Sequence, residues 1–310
     1  MTPAMVSAGR TEVGKVRRRN EDAILVRNDA GLWVVADGLG GHADGDRASR
    51  LIVERLAKLP RRGDVFDFIE AIEDVLFEVN AELRHQARLR AVDLIGSTVV
   101  VLVHGGGFSL CGWAGDSRGY CWANGRLSQI TRDHLYGVAA ADHWSGGPGQ
   151  SQPGGGMLTR AVGADHALFM DWAVARNGPR TRFVLCSDGI NKEMSDLEIA
   201  SACSRHGMPG DILDELFETS LQRGARDNLS AVVVSLPGDA TIENPAADLR
   251  MEAINRALQA LDDSHRRGER ERKDYRAERR RLIGDLDKVN AGSSGDPPRP
   301  AAWKRWLGRG

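Results

Sequence analysis

The sequence predicts an α+β fold in which helices cover a sheet sandwich. Three observations carry this. Apolar, β-branched runs come in pairs joined by glycine- or asparagine-containing turns, as antiparallel hairpins require. Two amphipathic stretches, near 46–58 and 65–90, stand side by side and lead straight into further strand-like runs. Strand and helix patterns alternate again after a glycine-rich interruption at 135–157.

In chain order, residues 1–12 read as an irregular start or a first edge strand. Gly14-Lys15-Val16-Arg17-Arg18-Arg19-Asn20-Glu21-Asp22 follows, a charged turn in which Arg17 could present a bidentate fork to a phosphate. Ile24-Leu25-Val26, the turn Asn28-Asp29-Ala30-Gly31, and Leu32–Ala36 make a hairpin. The second strand ends at Asp37-Gly38-Leu39-Gly40-Gly41-His42, where glycines let backbone close around a carboxylate. Helix spacing over 46–58 stops at Pro60, and Phe68, Ile69, Ile72, Leu76, Val79 and Leu83 mark a longer helix.

Ser97–Val103 is rich in β-branched residues and reads as a strand. Gly105-Gly106-Gly107 turns it back into Phe108–Ala114, which ends at Gly115-Asp116-Ser117-Arg118. Asn124-Gly125 closes a further hairpin, 119–130. Residues 135–157 read as a loop over a site or a plain connection. Strands are then expected at 167–174 and 182–186, the latter ending in Ser187-Asp188-Gly189. Ser195 and Glu198 form a capping box, a helix is expected at 210–222, and Asp227-Asn228 precedes a last strand at 231–236.

Residues 1–240 are expected to form one domain, closed by Pro237-Gly238 and Asn244-Pro245. Residues 241–289 read as a charged helical segment, one long helix or a broken pair, with coiled coil as an option. Residues 290–310 are expected to be disordered. Their Trp303, Lys304, Arg305, Trp306 and Arg309 are either a frayed tail or a contact for a partner or membrane surface.

With 310 residues, 41% of them hydrophobic, the chain can bury an ordinary core. A net charge of -1 offers no overall field for nucleic acid or membrane. The four cysteines are scattered without a CxxC pair, which argues against a zinc site or a disulfide framework. No signal pattern and no bilayer-length apolar stretch is found, so a cytoplasmic setting is expected.

Asp37, Asp116, Asp188 and Asp227 all sit at strand ends, and could converge on one edge of the sandwich. Oxygen ligands without a His or Cys cluster suit Mg²⁺ or Mn²⁺. Two such ions a few ångströms apart would clamp a water and lower its pKa for attack on phosphorus.

Eight segments, in order, resemble the metal-dependent PPM-type (type 2C) Ser/Thr protein phosphatases in their bacterial form. They are Gly14-x-Val16-Arg17-x-x-Asn20-Glu21-Asp22, Asp37-Gly38-x-Gly40-Gly41-His42, Gly96-Ser97-Thr98, Gly115-Asp116-Ser117-Arg118, Thr131-x-Asp133-His134, Leu158-Thr159-Arg160, Ser187-Asp188-Gly189 and Asp227-Asn228. The resemblance spans residues 8–237 and implies two antiparallel sheets flanked by helix pairs. It implies that Asp37 bridges two Mn²⁺ or Mg²⁺ ions, that the Gly38 carbonyl binds one, and that Asp188 and Asp227 complete the other. It also implies that Glu21 and Asp22 hold metal-bound waters or orient ligands, that Arg17 binds substrate phosphate, and that Asp116 serves a weaker third ion. Thr98 and Asn228 would support that shell. Phosphorylated proteins, kinases and kinase substrates are the implied partners.

Two positions depart from the family. Leu39 stands where some eukaryotic members carry a general-acid His, and His42 does not inherit that role. Lys192 stands where many members place an acid four residues after the Asp of Ser-Asp-Gly, which puts the third-ion site in doubt. The run Ser187–Glu193 resembles phosphatases encoded with type VI secretion kinases. Rival readings are a phosphatase acting on anti-sigma antagonists and a pseudophosphatase that only binds phosphoproteins.

Overall fold

The computed structural model describes residues 5–40, 44–136, 157–178, 180–236 and 245–290. Most of the loop expected at 135–157 (residues 137–156), His42, the Pro-Gly boundary and all but the first residue of the tail expected at 290–310 lie outside the described residues. Strands are β1 (Val6–Glu12), β2 (Asp22–Arg27), β3 (Leu32–Leu39), β4 (Gly96–Ser97), β5 (Val99–His104), β6 (Phe108–Ala114), β7 (Arg118–Ala123), β8 (Arg126–Gln129), β9 (Asp171–Arg176), β10 (Arg182–Cys186) and β11 (Leu229–Ser235). Helices are α1 (Asp44–Ala57), α2 (Val65–Arg90), α3 (Asp188–Glu193), α4 (Asp196–Arg205), α5 (Pro209–Arg223), α6 (Pro245–Arg266) and α7 (Arg272–Asn290).

Two antiparallel sheets form the centre, in the orders β1-β11-β10-β7-β8 and β2-β3-β5-β6-β9, with β4 paired to the end of β3. Strand β3 shows why a continuous apolar run was needed. Its Trp33 and Val35 face the other sheet, meeting Phe183, Leu185, Val232 and Val234. Leu32, Val34 and Ala36 face the helices, meeting Ile52, Leu56, Ile69 and Leu76. A strand buried on both faces has no polar side to show. On the opposite outer face, Val184, Ala231 and Val233 pack on Ile199, Ile212, Leu216 and Phe217 of α4 and α5. The layers are therefore helix, sheet, sheet, helix.

Local signals explain the bounds. Asp64 accepts from the Phe66 and Asp67 N–H groups at 2.8 and 2.9 Å and so starts α2, and Ala91 ends it in a left-handed conformation. Glu198 accepts from the Ser195 N–H at 2.9 Å at the start of α4.

The charged helical segment is the broken pair α6 and α7, with Gly268 at a φ of 73° in the break. It is not a free-standing coiled coil. Ile254, Leu258 and Ile283 join the cluster that holds α1 and α2 on the sheet. Asn255 makes two 2.8–2.9 Å hydrogen bonds with the Val174 backbone of β9. The basic face of α7 matches the acidic face of α2: Arg279 and Arg276 reach Glu73, Arg272 and Arg276 reach Asp74, and Arg280 reaches Asp67. Charges that look solvated in isolation are here the complement of another helix.

Candidate metal centre

Strands β2 and β3 place Asp22 and Asp37 directly opposite each other in register. Two like charges facing across a ladder destabilise it unless a cation or proton intervenes. From the second sheet, β10 runs into Ser187 and α3 opens with Asp188, while Asp227 and Asn228 lead into β11. The turn after β6 carries Asp116. The acids predicted from strand ends thus meet at one end of the sandwich, close enough that Asp22, Asp188, Asp116 and Asp227 all act electrostatically on Asp37.

The supporting groups are specific. The Asn228 amide oxygen accepts from the Glu21 N–H at 2.9 Å, and its NH₂ donates to the Val13 and Arg19 carbonyls, both at 2.9 Å. One side chain therefore stitches the 13–21 segment to the start of β11. The Thr98 hydroxyl accepts from the Asp37 N–H at 3.2 Å, and the Thr98 N–H donates to the Asp37 carbonyl at 2.8 Å. Ser187 Oγ donates to Asp22 Oδ2 at 2.8 Å and accepts from the Ser230 N–H at 3.1 Å. Sequence reasoning missed Ser187; its place beside Asp188 in the Ser-Asp-Gly motif was the available signal. Gly38 is required sterically, since a Cβ there would lie 2.1 Å from the Gly45 carbonyl oxygen and 2.6 Å from that of Glu21. This packing brings the start of α1 against the strand that carries Asp37.

The electrostatics are those of crowded anions. Burial, then the neighbouring carboxylates, pushes Asp37 well above the usual carboxylate range. Burial raises Asp22 to about 6 against the hydrogen bonds from Ser230 and Ser187. Burial and the charges of Asp188 and Asp133 raise Asp116 to about 7, with Lys192 opposing. Asp188 is also raised by burial, against Lys192.

Two cations answer this charge. Arg17 makes a two-pronged ion pair with Asp227, at 2.9 and 3.0 Å. Lys192 pairs with Asp188 and lies 3.7 Å from Asp227. Helix α3 causes the second contact, because it sets positions 188 and 192 on one face. Asp116 acts on Lys192 through space, while the ion pair of Lys192 is with Asp188.

Among the described residues, no three His, Cys, Asp or Glu side chains already close on one point as a finished ligand set. The acids nevertheless suit a hard divalent cation. Asp22 Oδ1 and Asp188 Oδ1 are buried acceptors with no hydrogen-bond partner, which is costly unless something positive meets them. The available donors are all oxygens, the set that Mg²⁺ and Mn²⁺ prefer over softer metals.

This fold and site define a class. The family model described as protein phosphatase 2C matches residues 14–233, and the chain belongs to that family. Among curated proteins, it is 30% identical to the serine/threonine protein phosphatase PstP of Mycobacterium tuberculosis over 233 residues, 74% of this chain and 44% of PstP. The chain therefore spans under half the length of that relative. Among solved structures, it is similar to PppA, described as a key regulatory component of the type VI secretion system in Pseudomonas aeruginosa. The identity is 39%, the TM-score 0.68, and the match covers 76% of this chain and 99% of PppA. The catalytic domain of PstP, solved with two manganese ions, matches at 27% identity and a TM-score of 0.63, over 76% of this chain and 99% of that domain.

Proposed function

We propose that the chain is a metal-dependent phosphatase of phosphoserine and phosphothreonine in proteins, opposing bacterial Ser/Thr kinases from the cytoplasm. The observation that carries this is the convergence of Asp22, Asp37, Asp116, Asp188 and Asp227, with two orphaned carboxylate oxygens, beside the guanidinium of Arg17. Asp37, the Gly38 carbonyl, Asp188 and Asp227 would hold two Mn²⁺ or Mg²⁺ ions, with Glu21 and Asp22 orienting them and Asp116 offering a weaker third place. Bound there, such ions supply charge neutralisation and an acidified water for attack on phosphorus.

The chain's own residues do the rest. Arg17 is 52% exposed at the cleft, so its fork can leave Asp227 for the non-bridging oxygens of a phosphate. Thr98 and Asn228 hold the backbone of Asp37 and Glu21 still, which fixes where the phosphorus must lie. Leu39 cannot donate a proton, so no side chain at that position serves the leaving serine or threonine oxygen.

The 39% identity to PppA supports the regulation of a type VI secretion system as the setting. Among the described residues, no helix is long and apolar enough to cross a membrane. The direct test is hydrolysis of p-nitrophenyl phosphate and of a phosphothreonine peptide with Mn²⁺ or Mg²⁺. Metal-dependent turnover is expected. A folded protein that binds phosphopeptide but turns over neither substrate is a phosphoprotein-binding module instead. Phosphoproteomics of a deletion strain then identifies the substrates.

A further inference from the structure

Beside the carboxylates lies a cleft of about 550 Å³, lined by Arg17, Lys192, Glu193, Arg223, Arg226 and Asp227 together with Gly189. Four of these side chains are cationic and two are anionic, in a chain whose net charge is only -1. The positive balance is local. Three of the cations already have partners: Arg17 with Asp227, Lys192 with Asp188, and Arg223 with Glu198 and the Glu193 carbonyl. Arg226 differs. It is exposed, its backbone N–H donates to Glu193 Oε1 at 3.3 Å, and among the described residues its guanidinium makes no hydrogen bond or ion pair.

Position matters as much as charge. Arg226 is the residue directly before Asp227, so it is tied to the rim of the metal centre by one peptide bond. The Asn228 bonds to Val13, Arg19 and Glu21 hold that stretch in place. A cleft of this volume is roughly 8 Å across, and extended chain advances about 3.3–3.6 Å per residue, so it takes two or three residues of a bound peptide.

We propose that this cleft selects phosphoserine or phosphothreonine segments that carry a second anionic group within two or three residues, with Arg226 as its anchor. The second group is a carboxylate or another phosphate, both of which accept the guanidinium fork. This inference rests on the phosphatase reading above and names its substrate class.

The test uses the full chain with Mn²⁺ and a set of phosphothreonine peptides of equal length. Their flanks carry alanine, lysine, aspartate or a second phosphoserine, the charged groups placed on either side in turn. The readout is the ratio of kcat/KM between flanks, so any general loss of activity in a variant cancels. The wild-type ratio is expected to favour the anionic flanks about five- to tenfold, mostly through KM, and to shrink at high salt. Comparison of the two anionic flanks shows which group is preferred. Arg226→Ala should bring the ratio close to one, and Arg226→Glu should turn it toward a lysine flank. Calorimetry with non-hydrolysable phosphonate peptides should give the same order of affinities. Equal kcat/KM for all flanks in the wild type, or a preference that survives Arg226→Ala, overturns the proposal. Absence of turnover on every peptide and on p-nitrophenyl phosphate is a different result: it removes the phosphatase reading, and the proposal with it.

Discussion

Replacing Arg279 with alanine should loosen the C-terminal helices from the two-sheet sandwich. Arg279 and Glu73 are 1% and 5% exposed, and the guanidinium donates to both carboxylate oxygens, at 2.5 and 3.1 Å. The same guanidinium lies 5.3 Å from the Trp172 ring centroid and 5.0 Å from that of Tyr275. Removing one partner of a buried pair typically costs about 3–5 kcal/mol, because the other charge stays buried. Glu73 would keep Arg276 at 3.1 Å and the Trp172 indole N–H at 2.8 Å. That places the loss at the low end, about 3 kcal/mol. For a chain this large, it corresponds to a fall in Tm of about 4–5 °C. Burial alone would raise Glu73, yet Arg279 and Arg276 hold it below its usual value. A depressed carboxylate stabilises the fold above its unfolded-state pKa, and that contribution disappears as pH falls through the folded value. The wild type should therefore lose this increment in acid, and the variant should have less to lose. Thermal melts followed by Trp fluorescence, with limited proteolysis of the 245–290 region, measure both effects. A Tm within about 1 °C of wild type, with unchanged protease resistance, would refute the reasoning.

Four further outcomes are expected. Asp37→Asn should lower metal-dependent turnover at least a hundredfold, about 3 kcal/mol of transition-state stabilisation; wild-type turnover with Mn²⁺ would remove Asp37 from the site. Arg17→Ala should raise KM roughly tenfold or more while metal affinity holds or tightens, since Asp227 loses a competing cation; an unchanged KM points to Arg18 or Arg19. Asp22 and Asp116 are raised to about 6 and 7, so the metal-free fold carries protons that a cation must displace. Affinity for Mn²⁺ should then weaken as pH falls below about 7, by up to tenfold per pH unit for each proton released, and the metal-free fold should lose stability as pH rises through the same window. Calorimetry that finds a pH-independent affinity between 5.5 and 7.5 goes against this. Lys192→Asp should add a low-affinity phase to Mn²⁺ activation that disappears when combined with Asp116→Ala, and superimposable curves would take Lys192 out of the mechanism.

Much of this was legible because separate signals agreed. The 65–90 periodicity coincides with α2 to the residue, with Asp64 at one end and the left-handed Ala91 at the other. The continuous apolar run of β3 announced burial on both faces. The convergence of Asp37, Asp116, Asp188 and Asp227 was readable because each stood at a strand end beside Gly or Asn. Where the sequence misled, tertiary contacts had overruled local pattern. The expected strand 97–103 breaks at Thr98, whose backbone is given to Asp37 instead of to a continuous ladder. The strand expected from Ala167 starts only at Asp171, because Leu168 and Met170 are buried without strand pairing. Helix α3 went unseen because its second residue is Gly189, a poor helix former. That glycine is there for space, since a Cβ would lie 2.0 Å from the Asn228 carbonyl oxygen. The partner of α7 could not be read at all, because a run of arginines does not say which acidic face it will meet.

The candidate metal centre stands apart from the rest of the fold. Across most of the described residues the choices serve the fold: inward faces are apolar, α2 is capped, and the α2 and α7 charges match. At the head of the sandwich the choices oppose it. Asp22 faces Asp37 in register, two carboxylate oxygens are buried without partners, and burial pushes several of the acids above the usual carboxylate range. Arg17 and Lys192 relieve this only partly, both from exposed positions on side chains that can swing away. The surrounding groups soften the conflict only in part: Ser187 donates to Asp22, while Asn228, Thr98 and the steric fits at Gly38 and Gly189 hold the acids where they repel. A fold that spends its most specific hydrogen bonds on keeping like charges together is organised for something that binds them, and local conflict set in an otherwise consistent structure is what a functional site looks like.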